Sequence, residues 1–213
     1  MNVLNVPYVA TALYNNSPDA LSGIFSSIEP DKIANEPWPG TDIRPEVTFK
    51  MAYGDDALFL KFDVKEKHFR AVHKQINDAV YEDSCVEFFI GFEEEGAYYN
   101  FEFNALGTPL VGYGKGKERI WVDPSIVSTI KRTGLINVAE GDVLPHQWDL
   151  TVVIPFKVFH NHHITTLQDL KAWGNFYKCG DELAEQHFLC WNNIIADEPN
   201  FHLPQYFGEL NFN

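Results

Sequence analysis

Three cysteines in 213 residues exclude a scaffold stapled by disulfides. Cys85, Cys179 and Cys190 form an odd set at irregular spacing, and a chain of this length buries roughly 70% of its unfolded surface without covalent help. Free thiols are therefore expected. Basic residues are scarce as well: 16 Lys and Arg stand against 30 Asp and Glu, a formal charge of −14. That balance argues against nucleic acid or an anionic membrane as the main partner, since both demand clustered cations. No apolar run reaches the roughly 18 residues of a membrane-spanning helix. The segment Met1 to Ala12 has neither a basic residue nor a long apolar core, so it does not read as a secretory signal. The expected compartment is the cytoplasm for a full-length chain, and a secreted or periplasmic one if a leader has been trimmed. Methionine is reduced to Met1 and Met51.

Aromatic residues are plentiful. Seventeen Phe, nine Tyr and five Trp make up 15% of the chain, and such side chains favour strands and sheet packing. The hydropathy pattern agrees. After an irregular segment of about 45 residues, Val47, Phe49, Met51 and Tyr53 alternate with polar neighbours. Gly54-Asp55-Asp56 marks a turn, and Leu58, Leu60, Phe62 and Val64 alternate again, as in a hairpin with one buried face. Further strands are expected at 84–90, 98–104, 110–113, 119–122, 148–154, 173–177, 187–191 and 206–212. Ser17-Pro18-Asp19 signals a short helix start, and 165–170 is a second helix candidate. The expected fold is all-β: one antiparallel β-sandwich, immunoglobulin-like or jelly-roll-like, with short helices on loops.

The pair 84–90 and 98–104 carries the clearest functional signal. Val86, Phe88 and Ile90 share one face with Tyr99, Phe101 and Phe103 on the partner. The opposite face presents Glu87, Asn100, Glu102 and Asn104, with Phe89, Tyr81 and Tyr98 close by. A solvated sheet face usually mixes in Lys, Thr and Ser, whereas this one is acids and amides. Carboxylates and amides bond vicinal hydroxyls in pairs, and rings lie against the C–H face of a sugar, so the row suits a carbohydrate. An ordinary wet face with cross-strand pairs would show a related pattern.

The stretch Tyr81-Glu82-Asp83-Ser84-Cys85-Val86-Glu87-Phe88-Phe89-Ile90, followed by Asn100-Phe101-Glu102-Phe103-Asn104-Ala105, resembles family 9 carbohydrate-binding modules and their DOMON-like relatives. Trp148 before Ile154-Pro155, the run Trp173 to Asp181, Trp191-Asn192, and Phe201-His202 before Tyr206-Phe207-Gly208 continue the likeness over about residues 40–212. It is nearest to a branch from Bacteroidetes-type bacteria. The resemblance implies a β-sandwich that binds mono- or oligosaccharide without cleaving it, in settings related to xylan or cellulose, often at a chain's reducing end. It implies two stacking rings, which fall on Tyr81 and Phe201, and a hydrogen-bonding carboxylate at Glu87, with Asn100, Glu102 and Asn192 completing the polar set. No cofactor is required; a structural Ca²⁺ bound away from the site is compatible. The basic residue that such modules carry on the second strand is missing, because Asn100 and Glu102 occupy that region.

Other readings compete. Glu87 and Glu102 on adjacent strands could form the acid/base pair of a glycosidase. A haem-binding DOMON-like domain would need a Met and His pair, with only Met51 placed for it. His160, His162 and His163 form a run better suited to an exposed loop than to a metal. Cys179, His187 and Cys190 lack ligand spacing. Asp55, Asp56 and Asp63 are turn or surface acids before they are calcium ligands.

Overall fold

A computed structural model describes residues 1–10, 21–40, 44–139 and 145–213 of the chain. Two sheets face each other. The first has the order β1 (Val3–Val6), β14 (Gly208–Phe212), β12 (Lys171–Cys179), β5 (Cys85–Gly91), β6 (Tyr98–Asn104), β7 (Pro109–Lys115) and β8 (Glu118–Trp121), with β13 (Phe188–Cys190) also paired to β12. The second runs β10 (Ile136–Asn137), β11 (His146–Pro155), β4 (Ala57–Glu66), β3 (Glu46–Tyr53) and β2 (Asp31–Lys32), with β9 (Lys131–Thr133) on β11. Among the described residues, all pairings between these strands are antiparallel except β1 beside β14.

Period-two patterning sets this architecture. Val86, Phe88 and Ile90 on β5 and Tyr99, Phe101 and Phe103 on β6 point between the sheets. They meet Phe49, Met51, Leu60, Phe62, Leu150 and Val152 from the opposite layer. Phe176 sits at the centre, its ring 3.7 Å from Phe49 and 4.8 Å from Phe88, both stacked. Met51, the methionine considered as a haem ligand, is one of the packed core residues. One end of the interior is polar. Lys178 on β12 pairs with Glu66 at 2.8 Å, Trp148 donates to the same carboxylate at 2.6 Å, and Lys178 donates to His187 Nε2 at 2.9 Å. Burial, with Lys178 adding to it, pushes His187 down to about 2, so it serves as a neutral acceptor.

Several expectations are corrected. Residues 1–45 are not wholly irregular: β1 extends the first sheet at one edge and β2 the second. The helix-start signal at Ser17-Pro18-Asp19 lies outside the described residues, while Leu21–Phe25 forms the short helix α1. Residues 165–170 form no helix, because Asp169 adopts φ 60° and donates its N–H to Phe212 O. The one other α-helix among the described residues is α2 (Pro124–Val127), capped by Asp123. No helix of the described residues is long and apolar enough to cross a membrane.

Candidate functional site

On the central strands β5 and β6 the outer face of the first sheet is as buried as the inner one, for a different reason. The chain after β12 folds back over it, and Phe201, Phe207, Ile194 and Val80 pack on Cys85, Phe89, Tyr98 and Tyr177 as a second apolar cluster. Where this cover stops, a cleft of about 440 Å³ opens, lined by Tyr81, Glu87, Glu102, Lys117, Arg119, Trp121, Cys179, Asp181, Phe188, Pro199, Asn200, Phe201 and His202.

The floor comes from strand register. Glu87 and Glu102 are direct partners across β5 and β6, so both carboxyls rise side by side from one face. Glu87 is 3% exposed and accepts the Cys179 thiol at 3.1 Å. Burial, then the neighbouring Cys179 and Glu102, raise its pKa well above the carboxylate range. Burial likewise lifts Glu102 to about 7, against the pull of Arg119 and the Asn100 amide, which donates to it at 2.9 Å. Asp181 on the wall is raised to about 6 by burial and by Glu82 and Glu182. Near neutral pH such groups both donate to and accept from hydroxyls.

The walls supply rings and donors. Tyr81 closes a 3-10 turn at Val80–Glu82 and is 39% exposed. Trp121 on β8 is 52% exposed. It can lie over the sheet because Gly112 is its partner on β7: a Cβ there would stand 2.6 Å from Asn100 Oδ1 and 3.2 Å from the Trp121 ring. The Arg119 guanidinium stands 5.9 Å from the Trp121 ring centroid, and its buried Nε has no hydrogen-bond partner. Arg119 and the Tyr98 hydroxyl both approach His202 Nδ1. Since guanidinium only donates, Nδ1 accepts and Nε2 carries the proton. Burial and the nearby Arg119 and Lys117 push His202 down to about 3, so it stays neutral.

The cleft thus brings together four of the six residues expected from sequence: Tyr81, Glu87, Glu102 and Phe201. Phe201 is a wall more than a platform. It is 8% exposed, with its ring stacked on Tyr177 at 4.2 Å and packed near Trp38 and Phe188. Asn100 lies beneath the lining, orienting Glu102. Asn192 is corrected to a structural residue: it accepts from Asn2 N and donates to Tyr206 O, both at 2.8 Å, away from the cleft. Arg119 and Trp121 were missed. Their two-residue spacing on a strand candidate placed both on one face, and Arg119 supplies from β8 the basic group lacking on β6.

The remaining ligand candidates resolve by placement. His187 is held by Lys178, and the thiol that joins Cys179 is Cys85, its partner in register, rather than Cys190. In the 160–163 run, His162 turns onto Tyr99 while His160 and His163 are exposed. Asp55 and Asp56 occupy the β3–β4 turn, Asp55 accepting the Tyr8 hydroxyl, and Asp63 pairs with Lys61 on β4. Calcium takes six to eight oxygens, and these three acids do not converge to provide them.

Comparison with known proteins gives the family and the fold. A solved structure of a candidate carbohydrate-binding protein from Bacteroides uniformis is 34% identical, with a TM-score of 0.88 over 100% of this chain and 99% of that one. Family 9 modules from Caldicellulosiruptor kristjanssonii share the fold at 12% identity. The one solved with glucose has a TM-score of 0.65 over 100% and 96% of the two chains, and the one with cellotriose 0.68 over 99% and 93%. An extracellular protein of Arthroderma benhamiae is 26% identical over 180 residues, 79% of each chain. The sequence profile of carbohydrate-binding family 9 matches residues 18–212, and the chain belongs to that family of sugar-binding modules.

Proposed function

We propose that the cleft on the outer face of the first sheet holds the end of a saccharide chain and does not cleave it. The observation that carries this reading is the composition of one cavity: two buried carboxyls, a guanidinium with an unpaired Nε, and two exposed rings, Tyr81 and Trp121, around a volume within the ordinary range of ligand pockets. Glu87 and Glu102 take and give hydroxyl hydrogen bonds at the floor. Arg119 and His202 Nε2 donate to ring or hydroxyl oxygens. The aromatic faces of Tyr81 and Trp121 cover the apolar C–H surface of the sugar.

Placement of the acids favours binding over hydrolysis. A glycosidase sets its carboxyls on either side of the scissile bond. Here both rise from adjacent positions on one sheet face, so a bound sugar lies above the pair. The net charge of −14 favours an uncharged ligand over a polyanion. The glucose and cellotriose complexes of the Caldicellulosiruptor modules make these the first ligands to try.

Calorimetric titration of the purified chain with glucose, cellotriose and xylo-oligosaccharides tests the proposal. Binding in the micromolar to millimolar range is expected, weakened by Glu87→Gln and by Tyr81→Ala with no loss of folded structure. Binding that survives both substitutions unchanged would move the site elsewhere, and release of shorter sugars by the wild-type chain would overturn the non-catalytic reading.

A further inference from the structure

The cleft floor contains two thiols, Cys85 and Cys179, that saccharide recognition does not use. Cys85 and Cys179 are direct partners across β5 and β12, so their side chains rise together from the outer face. Glu87, two residues along β5 from Cys85, completes a triangle. One sulfur from each cysteine and one Glu87 oxygen all lie within 4.8 Å of one another, and the Cys179–Glu87 edge is 3.1 Å. A tetrahedral metal with bonds of about 2.0–2.3 Å separates its ligand atoms by roughly 3.3–3.8 Å, so the triangle lies within reach of that geometry by small side-chain rotations.

Two further observations point to a cation. Glu102, directly opposite Glu87, keeps a buried Oε2 with no hydrogen-bond partner. Among the described residues, neither Glu87 nor Glu102 forms an ion pair. Two thiols and two carboxyls therefore share one desolvated floor, with Arg119 near Glu102 but no cation in direct contact with either carboxyl. Cys179, Glu87 and Glu102 all line the cleft, which leaves a route for entry and a fourth coordination position facing solvent.

We propose that Cys85, Glu87 and Cys179 form a binding site for a thiophilic divalent cation of the zinc class. The donor set selects the ion: thiolates favour zinc-like metals, whereas calcium and magnesium want more oxygens than are present. On binding, each thiol releases its proton to solvent and each sulfur forms one metal bond, Glu87 gives up to solvent any proton it carries and contributes a carboxylate oxygen, and water or Glu102 takes the fourth position. The site stands independently of the saccharide reading but shares Glu87 with it, so the cation and the sugar compete for one carboxylate.

The test uses the full chain, reduced and freed of metal, titrated with Cd²⁺ as a spectroscopic probe and then with Zn²⁺, with no saccharide present. A thiolate-to-cadmium charge-transfer band that saturates at one equivalent and is abolished by Zn²⁺ is expected. Calorimetry in buffers of different ionisation enthalpy should register about two to three protons released per metal, two from the thiols and the remainder from Glu87. Cys179→Ser and Cys85→Ser should each lose the band, and Cys190→Ser, which alters the third buried thiol, should keep it. Should Cys85→Ser fail to fold, Cys179→Ser and Glu87→Gln carry the same comparison. A silent titration, a band that survives Cys179→Ser, or binding without proton release overturns the proposal, and none of these outcomes bears on whether the cleft takes sugar.

Discussion

Along β5, Val86, Phe88 and Ile90 face one way and Cys85, Glu87 and Phe89 the other, and all six are buried. The inner three meet a second sheet whose facing residues are apolar, so their burial follows from periodicity and ring packing. The outer three are buried because a long return after β12 lies over them. That cover is incomplete, and at its edge an acid, Glu102, and an amide, Asn100, are desolvated with one oxygen each left unpaired. Polar groups held this way keep an unmet demand for partners. The inner face stores stability and the outer face stores binding capacity, so substitutions should separate the two.

The largest effect is expected on the inner face. Phe176→Ala removes a ring stacked between Phe49 and Phe88 and should cost about 3–5 kcal/mol, read as a lower denaturant midpoint. Saccharide affinity, measured where the variant is folded, should hold. A cost below about 1 kcal/mol would mean that the centre of the sandwich collapses around the gap.

Next comes the pH dependence of the outer face. Glu102 titrates at about 7 in the fold against a usual 4.5, so between those values the native state keeps a proton that the unfolded chain releases. Stability from this group is full below about 4.5 and lost as pH rises through about 7, by on the order of 3 kcal/mol. His187 and His202, both pushed down, work in the opposite direction below about 6.5. The informative quantity is therefore the difference between wild type and Glu102→Gln. That difference should move in favour of the variant as pH rises from 4.5 to 7, and a flat difference would mean that Glu102 is ionised throughout.

Glu87→Gln sharpens the contrast at the cleft. It keeps shape and burial but replaces a carboxyl that can donate or accept with an amide of fixed polarity, leaving a buried partner unpaired at a cost of about 1–3 kcal/mol. A ten- to hundredfold loss of saccharide affinity is expected, with thermal midpoints nearly unchanged. A matching loss of stability with intact affinity would instead make Glu87 a structural residue.

The two faces were unequally legible in the sequence. The inner face follows from alternation alone, and β3, β4, β5, β6, β11 and β12 fall where that alternation runs. The edge strands β1, β2, β9 and β10 have two to four residues, too short for a period to show. β1 also pairs with a strand some two hundred residues away in the chain. On the outer face, Glu87 and Glu102 were visible as acids on the polar side of a strand pair, and Tyr81 through the family resemblance. What hid Arg119 and Trp121 was topology: nothing local says that β7 and β8 extend the same sheet, or that Gly112 leaves room for an indole. Asn192 misled in the opposite sense, since a polar residue after a Trp at a strand end is as well used by backbone as by ligand, and here Tyr206 O and Asn2 N claim it.

The smallest expected effect tests that hidden part. Trp121 is half in solvent, over Gly112 and beside Arg119, so Trp121→Ala removes little packing and should leave stability within about 0.5 kcal/mol. If its ring covers a sugar face, affinity should fall by roughly tenfold, the equivalent of about 1.4 kcal/mol and within the scale of aromatic contacts. Replacement by Tyr or Phe should restore most of it, because the stacking surface returns without the indole N–H. Unchanged affinity in Trp121→Ala would leave Tyr81 as the cleft's stacking ring and turn Trp121 into a brace for Arg119. That case is separable, since Arg119→Lys would then lower affinity in the wild-type and Trp121→Ala backgrounds by different factors.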